Sequence, residues 1–274
     1  MNAALDRADT LIDLLEKGVE SPNLDGASGD LLAGVDLGTA YMVVAVVDEI
    51  KRPVTARYCY AEVVRDGLVV DFTGAVRTVR RLKHEIENAL GRELSRAAGA
   101  YPPGTGRAAM NTVRYVCESA GFEATAIVDE PTAANNVLGI RDGAVVDIGG
   151  GTTGIAVVRN GEVVYTADEP TGGTHFTLVI AGAYKIPFAE AEAIKTDPSR
   201  QAEIVPLVKP VIQKVSSIII QHTRRFKVDV IYLVGGTSCL AGIERIVEQE
   251  TGIRTLKPRS PLLVTPLGIA MSCA

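Results

Sequence analysis

Several kinds of residue and pattern are scarce or missing in this chain, and each absence excludes a class of protein. Tryptophan is absent, and only four of the 274 residues are cysteines. The cysteines lie far apart with no CxxC pair, which disfavours a metal site or a disulfide framework and favours free thiols in a reducing cytosol. No apolar run approaches the roughly 18 to 20 residues that a membrane-spanning helix needs. A P-loop and a dinucleotide-binding GxGxxG motif are also missing.

The chain also has little excess charge. Its formal net charge is -5, which disfavours non-specific binding to nucleic acid or to anionic membranes. The first residues, MNAALDRADTLIDLLEKG, carry acids within their apolar part and so form no secretory signal. Hydrophobic residues make up 47% of the chain, as in globular proteins. We therefore expect a cytoplasmic protein with one large core or two lobes, and with no nucleic-acid or membrane partner.

Strand-like and helical segments alternate along the chain, which is typical of α/β proteins. The longer predicted helices span residues 3–18, 74–98, 106–120, 175–195 and 202–226, with Pro206 and Pro210 interrupting the last. The first of them is amphipathic and, with the loop that follows, forms an N-terminal segment of residues 1–30. Its apolar stripe is expected to dock either on the protein itself or on a partner.

One pattern occurs twice. GVDLGTAYMVVAVV at 34–47 and VVDIGGGTTGIAVV at 145–158 each combine an apolar strand, an aspartate, a glycine-containing turn and a second apolar strand. Asp36 and Asp147 are the matching acids. The repetition indicates two related lobes, each opening with a β-hairpin. The alternative is two ordinary hairpins whose glycines serve only the geometry of the turn.

The glycine-rich turns have a physical interpretation as an anion site. Glycine lets backbone N–H groups approach an anion without a Cβ in the way, and successive N–H groups form an anion-binding nest. Thr39, Thr152 and Thr153 add hydroxyl donors. A carboxylate repels phosphate, so Asp36 and Asp147 fit such a site only with a cation between, for which hydrated Mg²⁺ is suited. Two facing hairpins would hold the phosphates of a nucleotide from both sides.

A third segment has a similar character. DVIYLVGGTSCLAGIERIVE predicts a buried strand, a Gly-Gly turn and a helix. Gly235 and Gly236 would let the chain lie flat against the sugar or base of a ligand. Because such segments are common in α/β folds, this signal is weak when it stands alone.

Together these motifs resemble the actin, Hsp70 and sugar-kinase superfamily of two-lobed ATP-binding proteins. VDLGT and VDIGGGT are similar to its two phosphate motifs, and YLVGGTSCLAGIE is similar to its adenosine motif. DEPTAANNVLGI and TPLGIAMSCA are similar to its two connecting motifs, so five motifs follow in order over residues 34–274. The short length, the N-terminal helix and the GGTHF stretch resemble more closely the ethanolamine-utilisation protein J family. These are Hsp70-like proteins encoded with a bacterial microcompartment.

The resemblance implies an α/β fold of two ribonuclease-H-like lobes with minimal peripheral insertions. Lobe I would comprise residues 31–141 and 265–274, and lobe II residues 142–264. Asp36 and Asp147 would hold hydrated Mg²⁺.

The resemblance also implies a set of functional residues. Glu130 and Asp147 would be the catalytic acids, with Glu130 orienting the attacking water. The alternative for Glu130 is an acid that merely suits a helix N-terminus. The residues implied to contact ATP are Asp36, Gly38, Thr39, Ala40, Tyr41, Gly149, Gly150, Gly151, Thr152, Thr153, Gly172, Gly173, Gly235, Gly236 and Thr237.

The sequence departs from this pattern at two positions of the catalytic ring. Gly154 stands where Hsp70 proteins usually carry an acid, and Ala40 replaces the second threonine of their first phosphate motif. The insertions that roof the nucleotide in relatives are also missing, which implies an open cleft and weaker binding.

Other polar residues carry simpler predictions. His175 follows two glycines at a helix start, where capping or packing is favoured over catalysis. His84 and His222 are expected to be solvated on helices. A basic cluster on one helix is expected to face solvent: Arg80, Arg81 and Lys83.

The leading functional prediction is an ATP-binding, slowly hydrolysing protein whose lobe closure acts on a protein partner. The resemblance implies that this partner is an enzyme or shell component of the ethanolamine microcompartment, and that the role is chaperone-like or in assembly. A non-catalytic nucleotide-binding scaffold is the alternative, which Ala40 and Gly154 favour. A small-molecule kinase ranks lower, because no acceptor-binding insertion is visible. The implied cofactors are ATP and Mg²⁺, and the implied location is cytoplasmic, in association with the microcompartment.

Overall fold

The computed structural model describes residues 3–274, which form two five-stranded sheets with helices around them. The strands of the first sheet are β1 (Leu32–Leu37), β2 (Tyr41–Val47), β3 (Pro53–Tyr60), β6 (Arg96–Tyr101) and β7 (Glu123–Asp129). The strands of the second sheet are β8 (Gly143–Ile148), β9 (Thr153–Arg159), β10 (Glu162–Glu169), β11 (Val230–Val234) and β12 (Arg254–Leu256). Two short strands, β4 (Val64–Arg65) and β5 (Leu68–Val69), pair as a separate hairpin.

The helices lie between and around the two sheets. They are α1 (Ala3–Glu20), α2 (Phe72–Leu90), α3 (Gly106–Ser119), α4 (Glu130–Leu138), α5 (Gly173–Tyr184), α6 (Phe188–Thr196), α7 (Gln201–Thr223), α8 (Ile243–Thr251) and α9 (Val264–Ser272), with short 3-10 helices at Gly236–Cys239 and Pro261–Leu263. Within residues 3–274, no helix combines the length and the apolar character that crossing a membrane requires.

Both sheets are built on one plan, which explains the internal repeat of the sequence. The first has the order β3-β2-β1-β6-β7, and the second has the order β10-β9-β8-β11-β12. In each, three antiparallel strands continue into two parallel ones. The two repeated hairpins are β1–β2 and β8–β9, so each sheet begins with one of them.

Helices α4 and α9 pack together between the sheets at very short range. A Cβ on Gly268 of α9 would lie 1.8 Å from the carbonyl oxygen of Ala133 in α4, and a Cβ on Gly34 of β1 would lie 2.2 Å from the backbone nitrogen of Ala270. One apolar cluster joins these helices to both sheets, with Leu32 and Ala45 from the first and Val145 from the second. The glycines are therefore required by the close approach of the backbones.

The N-terminal helix α1 docks on its own chain, which was one of the two predicted options. Ala8, Ile12 and Leu15 are fully buried in the cluster that contains α4 and α9. At the end of α1, the hydroxyl of Thr55 in β3 donates to the carbonyl of Gly18 at 2.7 Å. The backbone N–H of Arg259, beyond the second sheet, donates to an Asp9 carboxylate oxygen at 2.8 Å. The helix therefore contacts elements associated with both sheets.

The predicted helix over residues 74–98 is wrong beyond Leu90. Helix α2 ends at Leu90, because Gly91 takes a left-handed conformation with φ of 63° and its N–H caps the carbonyl of Glu87. The chain then forms strand β6, which lies inside the sheet between β1 and β7, and whose sequence RAAGAY has a low strand propensity. Small residues are needed there, since a Cβ on Gly99 would meet the Val113 side chain of α3 at 2.5 Å.

Two predicted helices of the second half also need correction. The segment 175–195 divides into α5 and α6, because Lys185 adopts a left-handed conformation with φ of 57° and Pro187 follows. Helix α7 instead runs without interruption past Pro206 and Pro210. Both prolines are exposed, so water can bond the carbonyls that they leave without a partner.

Candidate functional site

A cavity of about 330 Å³ opens between the two repeated hairpins. Most of the residues predicted to contact a ligand line it: Asp36, Gly38, Thr39, Ala40, Tyr41, Glu130, Asp147, Gly149, Gly150, Gly151, Thr152, Gly235, Gly236 and Thr237. The two sheets share a plan and face each other, and this arrangement brings segments more than a hundred residues apart in the sequence to one site.

The two glycine-containing turns touch each other at the mouth of this cavity. A Cβ on Gly150 would lie 3.1 Å from both the Cβ and the backbone nitrogen of Ala40, and a Cβ on Gly151 would lie 2.8 Å from Thr39 Oγ1. The short β4–β5 hairpin covers the contact, where the N–H of Gly67 donates to Thr39 Oγ1 at 3.5 Å. An anion can lie between Gly150 and Ala40 only if the two turns separate.

The second turn presents backbone donors to the cavity. The N–H of Gly149 donates to the carbonyl of Thr152 at 3.0 Å and closes the turn. In the part of the chain that the structure describes, the N–H groups of Gly150 and Gly151 donate to no protein acceptor. Unpaired backbone donors on adjacent glycines form the nest that binds anions.

Three of the predicted contact residues support this turn from behind and do not line the cavity. The N–H of Gly173 donates to the carbonyl of Gly149 at 2.9 Å, and a Cβ on Gly172 would lie 2.8 Å from that same oxygen. Thr153 is fully buried, and its hydroxyl donates to the carbonyl of Thr171 at 2.6 Å. The start of α5 therefore holds the shape of the turn.

Four acidic side chains converge beside the turns. Asp36 lies near the end of β1, Asp147 near the end of β8, Glu130 at the start of α4 and Asp168 near the end of β10. Burial raises the pKa of Asp36 to about 7, and the charge of Asp147 adds to the rise. Burial, followed by the charges of Asp147 and Asp36, raises the pKa of Glu130 well above its usual value.

The other two acids have one hydrogen-bond donor each. Burial raises the pKa of Asp147, although a hydrogen bond from Thr265 Oγ1 at 2.6 Å opposes the rise. Burial raises the pKa of Asp168 to about 7, although a hydrogen bond from Thr152 opposes it. Because the charges of these acids repel one another, a cation placed among them would stabilise their ionised forms.

The acids suit a hydrated cation better than a directly bound one. Among residues 3–274, no three acidic, histidine or cysteine side chains are close enough together to ligate a metal ion. Mg²⁺ commonly keeps several of its waters and is then held through them. Asp36, Glu130 and Asp147 line the cavity with the free N–H groups of Gly150 and Gly151, so the residues present fit a phosphate that carries hydrated Mg²⁺.

The third motif contacts the second hairpin as well as the cavity. Gly235 has φ of 87°, and a Cβ there would lie 2.1 Å from Asp147 Oδ1. The hydroxyl of Thr237 donates to the carbonyl of Gly149 at 2.7 Å. Gly235 is thus required by the approach of the chain to the Asp147 carboxylate, a reason that the sequence alone does not reveal.

Sequence reasoning missed the far wall of the cavity, which α6 and α7 provide. Glu192 and Lys195 line it as an ion pair with 2.7 Å between Oε2 and Nζ. Lys195 Nζ also donates to Thr177 Oγ1 at 3.0 Å, and burial lowers the pKa of Lys195. Apolar side chains continue this wall: Phe176, Ile204, Val208, Leu240 and Leu262. The spacing of Glu192 and Lys195 on one helix face was the available signal.

The histidines and the basic cluster were predicted with mixed success. His175 caps α5, since its Nδ1 accepts from the N–H of Gly172 at 3.3 Å, and His84 is exposed, as predicted. His222 is instead largely buried, with its Nδ1 2.7 Å from the hydroxyl of Tyr165 and its Nε2 3.0 Å from Oε1 of Glu169. Of the basic cluster, Arg80 and Arg81 are exposed, whereas Lys83 is buried, with Glu87 at 2.7 Å and the ring of Phe122 beneath it. Packing against neighbouring elements explains both departures.

Comparison with known proteins adds relatives of two kinds. A curated relative, ethanolamine utilization protein EutJ of Salmonella typhimurium, is 43% identical over 262 residues, which cover 94% of this chain and 92% of the relative. The crystal structure of EutJ from Carboxydothermus hydrogenoformans superposes with a TM-score of 0.92 at 47% identity, and covers 98% of both chains. A sequence model of the type IV pilus assembly protein PilM matches residues 131–258.

A more distant structure shows the fold alone. MreB5 of Spiroplasma citri bound to ADP superposes with a TM-score of 0.68 at 17% identity, over 87% of this chain and 94% of MreB5. With the high similarity to the Carboxydothermus structure, this match confirms the predicted two-lobed, actin-like α/β fold.

Proposed function

The chain belongs to the ethanolamine utilization protein EutJ family, and from that premise we propose that it binds ATP with Mg²⁺ in the cavity between the two hairpins. The observation that best supports this is that groups suited to an anion and groups suited to a cation lie side by side in the cavity. Unpaired N–H groups on Gly150 and Gly151 favour an anion, whereas the partly buried acids beside them favour a cation. A phosphate chain that carries Mg²⁺ supplies an anion for the N–H groups and a cation for the acids.

The residues divide into two groups around such a ligand. The turns at Gly38–Tyr41 and Gly149–Thr152 would hold the phosphates, and Asp36 and Asp147 would hold the waters of Mg²⁺. Bound there, Mg²⁺ would neutralise part of the charge on the phosphate oxygens. The ion pair Glu192–Lys195 has polar atoms for a sugar, and the apolar wall formed with α7 suits a planar base.

Hydrolysis in this site would be slow. Glu130 lines the cavity without a protein hydrogen-bond donor on its carboxylate in the described chain, so it is free to accept a hydrogen bond from water. Its burial favours the neutral form, and a cation nearby is needed to favour the ionised form that orients water for attack. Gly154 offers no carboxylate and Ala40 offers no hydroxyl, so fewer preorganised groups act on the transition state.

The contact between the turns links ligand binding to the separation of the lobes. Because Gly150 and Ala40 leave no gap, phosphates between them require the turns to move apart. The backbones of α4 and α9 touch at Gly268 and Ala133, so a movement of one sheet is transmitted to helices that contact the other. We propose that this movement acts on a protein partner of ethanolamine utilization, in a chaperone-like or assembly role in the microcompartment.

A second candidate is a scaffold that binds nucleotide without hydrolysing it. Gly154 and Ala40 favour it, since both lack the polar side chain that phosphoryl transfer would use. Such a protein would still change shape when the nucleotide binds, and would act only through contacts with its partner.

Phosphate release separates these candidates, and a pull-down tests the coupling to a partner that both of them require. Phosphate release from ATP should be slow but above background, and it should require Mg²⁺ if the first proposal holds. Saturable binding of ATP without any release would support the scaffold. A pull-down from cells growing on ethanolamine should recover a microcompartment protein whose capture changes with ATP, and capture indifferent to ATP would contradict the coupling.

A further inference from the structure

Strand pairing in the second sheet places two aspartates on one row with a glycine between them. Asp147 of β8 pairs with Gly154 of β9, and Gly154 pairs with Asp168 of β10. Residues directly opposite one another on neighbouring strands project from the same face of a sheet. Asp168 therefore projects from the same face as Asp147, and Gly154 has no side chain to separate the two.

The carboxylate of Asp168 leans into the space above Gly154. A Cβ on Gly154 would lie 3.7 Å from Asp168 Oδ1, 3.7 Å from the Cγ of Pro131 and 3.9 Å from the Cβ of Asp147. Pro131 follows Glu130 at the start of α4, and the charge of Asp168 acts on Glu130. A carboxylate on β10 thus borders the region that a side chain at position 154 would enter.

One oxygen of this carboxylate has no protein partner. Asp168 accepts a hydrogen bond from the side chain of Thr152, which lines the cavity, whereas Oδ1 is buried and bonded to nothing among the described residues. Buried polar atoms nearly always have partners, because an unpaired one costs free energy. A site that binds water or a hydrated ion explains why such an atom is kept.

Asp48 is an acid of the same protein whose hydrogen bonds are purely structural, and it serves as a comparison. It is fully buried, and its two oxygens accept from the backbone N–H groups of Ser28 at 3.1 Å and Arg52 at 2.8 Å. Asp48 therefore stabilises a turn, whereas Oδ1 of Asp168 accepts from no group of the described chain.

We propose that Asp168 is a positioning residue of the nucleotide site, which accepts a hydrogen bond from a water of the Mg²⁺ shell and holds the Thr152 hydroxyl. It would supply from β10 the carboxylate that Gly154 lacks on β9. This inference rests on the proposed binding of Mg²⁺ and nucleotide. A side chain that extends beyond Cβ at position 154 would meet the Asp168 carboxylate, since a Cβ there already lies in contact with Oδ1 at 3.7 Å.

The first test measures stability without nucleotide. Asp168→Asn should raise the midpoint of thermal unfolding at pH 8 by about 2 °C or more, because it removes a buried charge with an unpaired oxygen. Asp48→Asn should lower the midpoint. A drop for both variants would give Asp168 a structural role and overturn the inference.

The second test measures binding of ADP by calorimetry, with Mg²⁺ and with EDTA. Asp168→Asn should reduce the gain in affinity that Mg²⁺ provides by about tenfold or more, and leave the affinity in EDTA unchanged. Glu169→Gln is the matched control, since Glu169 is the next residue of β10 and bonds to His222. If the wild-type protein binds ADP but Asp168→Asn leaves the Mg²⁺ gain unchanged, the inference is overturned while the proposed function stands.

A double variant tests directly whether a carboxylate on β9 can replace the carboxylate on β10. Gly154→Asp combined with Asp168→Ala should recover most of the Mg²⁺ gain, because it moves the carboxylate to the neighbouring strand. The unfolding midpoint shows whether this variant folds. If it folds and recovers none of the Mg²⁺ gain, a carboxylate at position 154 cannot replace the one at position 168, which would count against the inference. If the wild-type protein shows no binding of ADP at all, the proposed function fails and the inference falls with it.

Discussion

The two repeated hairpins differ most in the row of side chains that runs across each sheet beside the cavity. In the first sheet the row is Asp36, Val43 and Tyr58, and in the second it is Asp147, Gly154 and Asp168. The first sheet therefore offers one acid beside apolar and aromatic surface. The second offers two acids with no side chain between them. Two copies of one backbone plan thus supply different chemistry to one cavity.

The glycines of the two turns also differ, in what a side chain at each position would contact. A Cβ on Gly38 would lie 2.4 Å from the carbonyl oxygen of Tyr41, so this glycine is required by the shape of its own turn. A Cβ on Gly150 would instead meet Ala40 of the other turn. The first turn is constrained by folding, and the second by what must fit between the lobes.

Replacement of Gly150 should have the largest effect on function. A valine in Gly150→Val would fill the contact between the turns and crowd the anion, so ATP affinity should fall by a hundredfold or more while the fold is kept. Calorimetry on the folded variant measures this. Gly182→Val is the control, since nothing lies within 4 Å of a Cβ on this exposed glycine of α5. An unchanged affinity for ATP would refute the site between the hairpins.

Loss of the acid at the start of α4 should affect rate more than binding. Glu130→Gln should reduce phosphate release by about a hundredfold, the usual cost of one preorganised catalytic group, and change ATP affinity little. Glu118→Gln, an exposed site near the end of α3, is the control. Release that is equally fast in both variants would mean that Glu130 only suits a helix N-terminus.

The docking of α1 predicts that the two halves unfold together. Leu15 is fully buried in a cluster with Leu32 of the first sheet and Val145 of the second. Leu15→Ala should cost about 2 to 5 kcal/mol of unfolding free energy and shift one cooperative transition. Urea unfolding measures this, with Glu16→Ala of the same helix, an exposed site, as the control. A second transition, with only one half destabilised, would show that the lobes are independent.

The pH dependence of stability should be the smallest of these effects. Asp36 and Asp168 have pKa values raised from 3.8 to about 7, so the folded protein binds their protons more tightly than the unfolded chain does. The stability of the nucleotide-free protein should therefore fall as pH rises from about 5 to 8. Thermal melts across this range test it, and Asp36→Asn should flatten the curve. A stability that rises over this range would contradict the assignment of raised pKa values.

The sequence was sufficient for the parts of the site that lie within one motif. Asp36 and Asp147 stand at matching places in two hairpins, so the repeated pattern was enough to predict that they line one cavity. Asp168 could not be found in this way, since its position depends on the pairing of β10 with β9. Strand β6 was also missed, because its alanines and glycine serve close packing rather than strand propensity.

The central claim is that ATP with Mg²⁺ binds between the two hairpins. The most direct test is a calorimetric titration of the wild-type chain with ATP, in Mg²⁺ and in EDTA. We predict saturable binding of one ATP for each chain in Mg²⁺, with a dissociation constant on the order of micromolar or weaker, and weaker binding in EDTA. No saturable binding at millimolar ATP, or binding that is indifferent to Mg²⁺, would contradict the account.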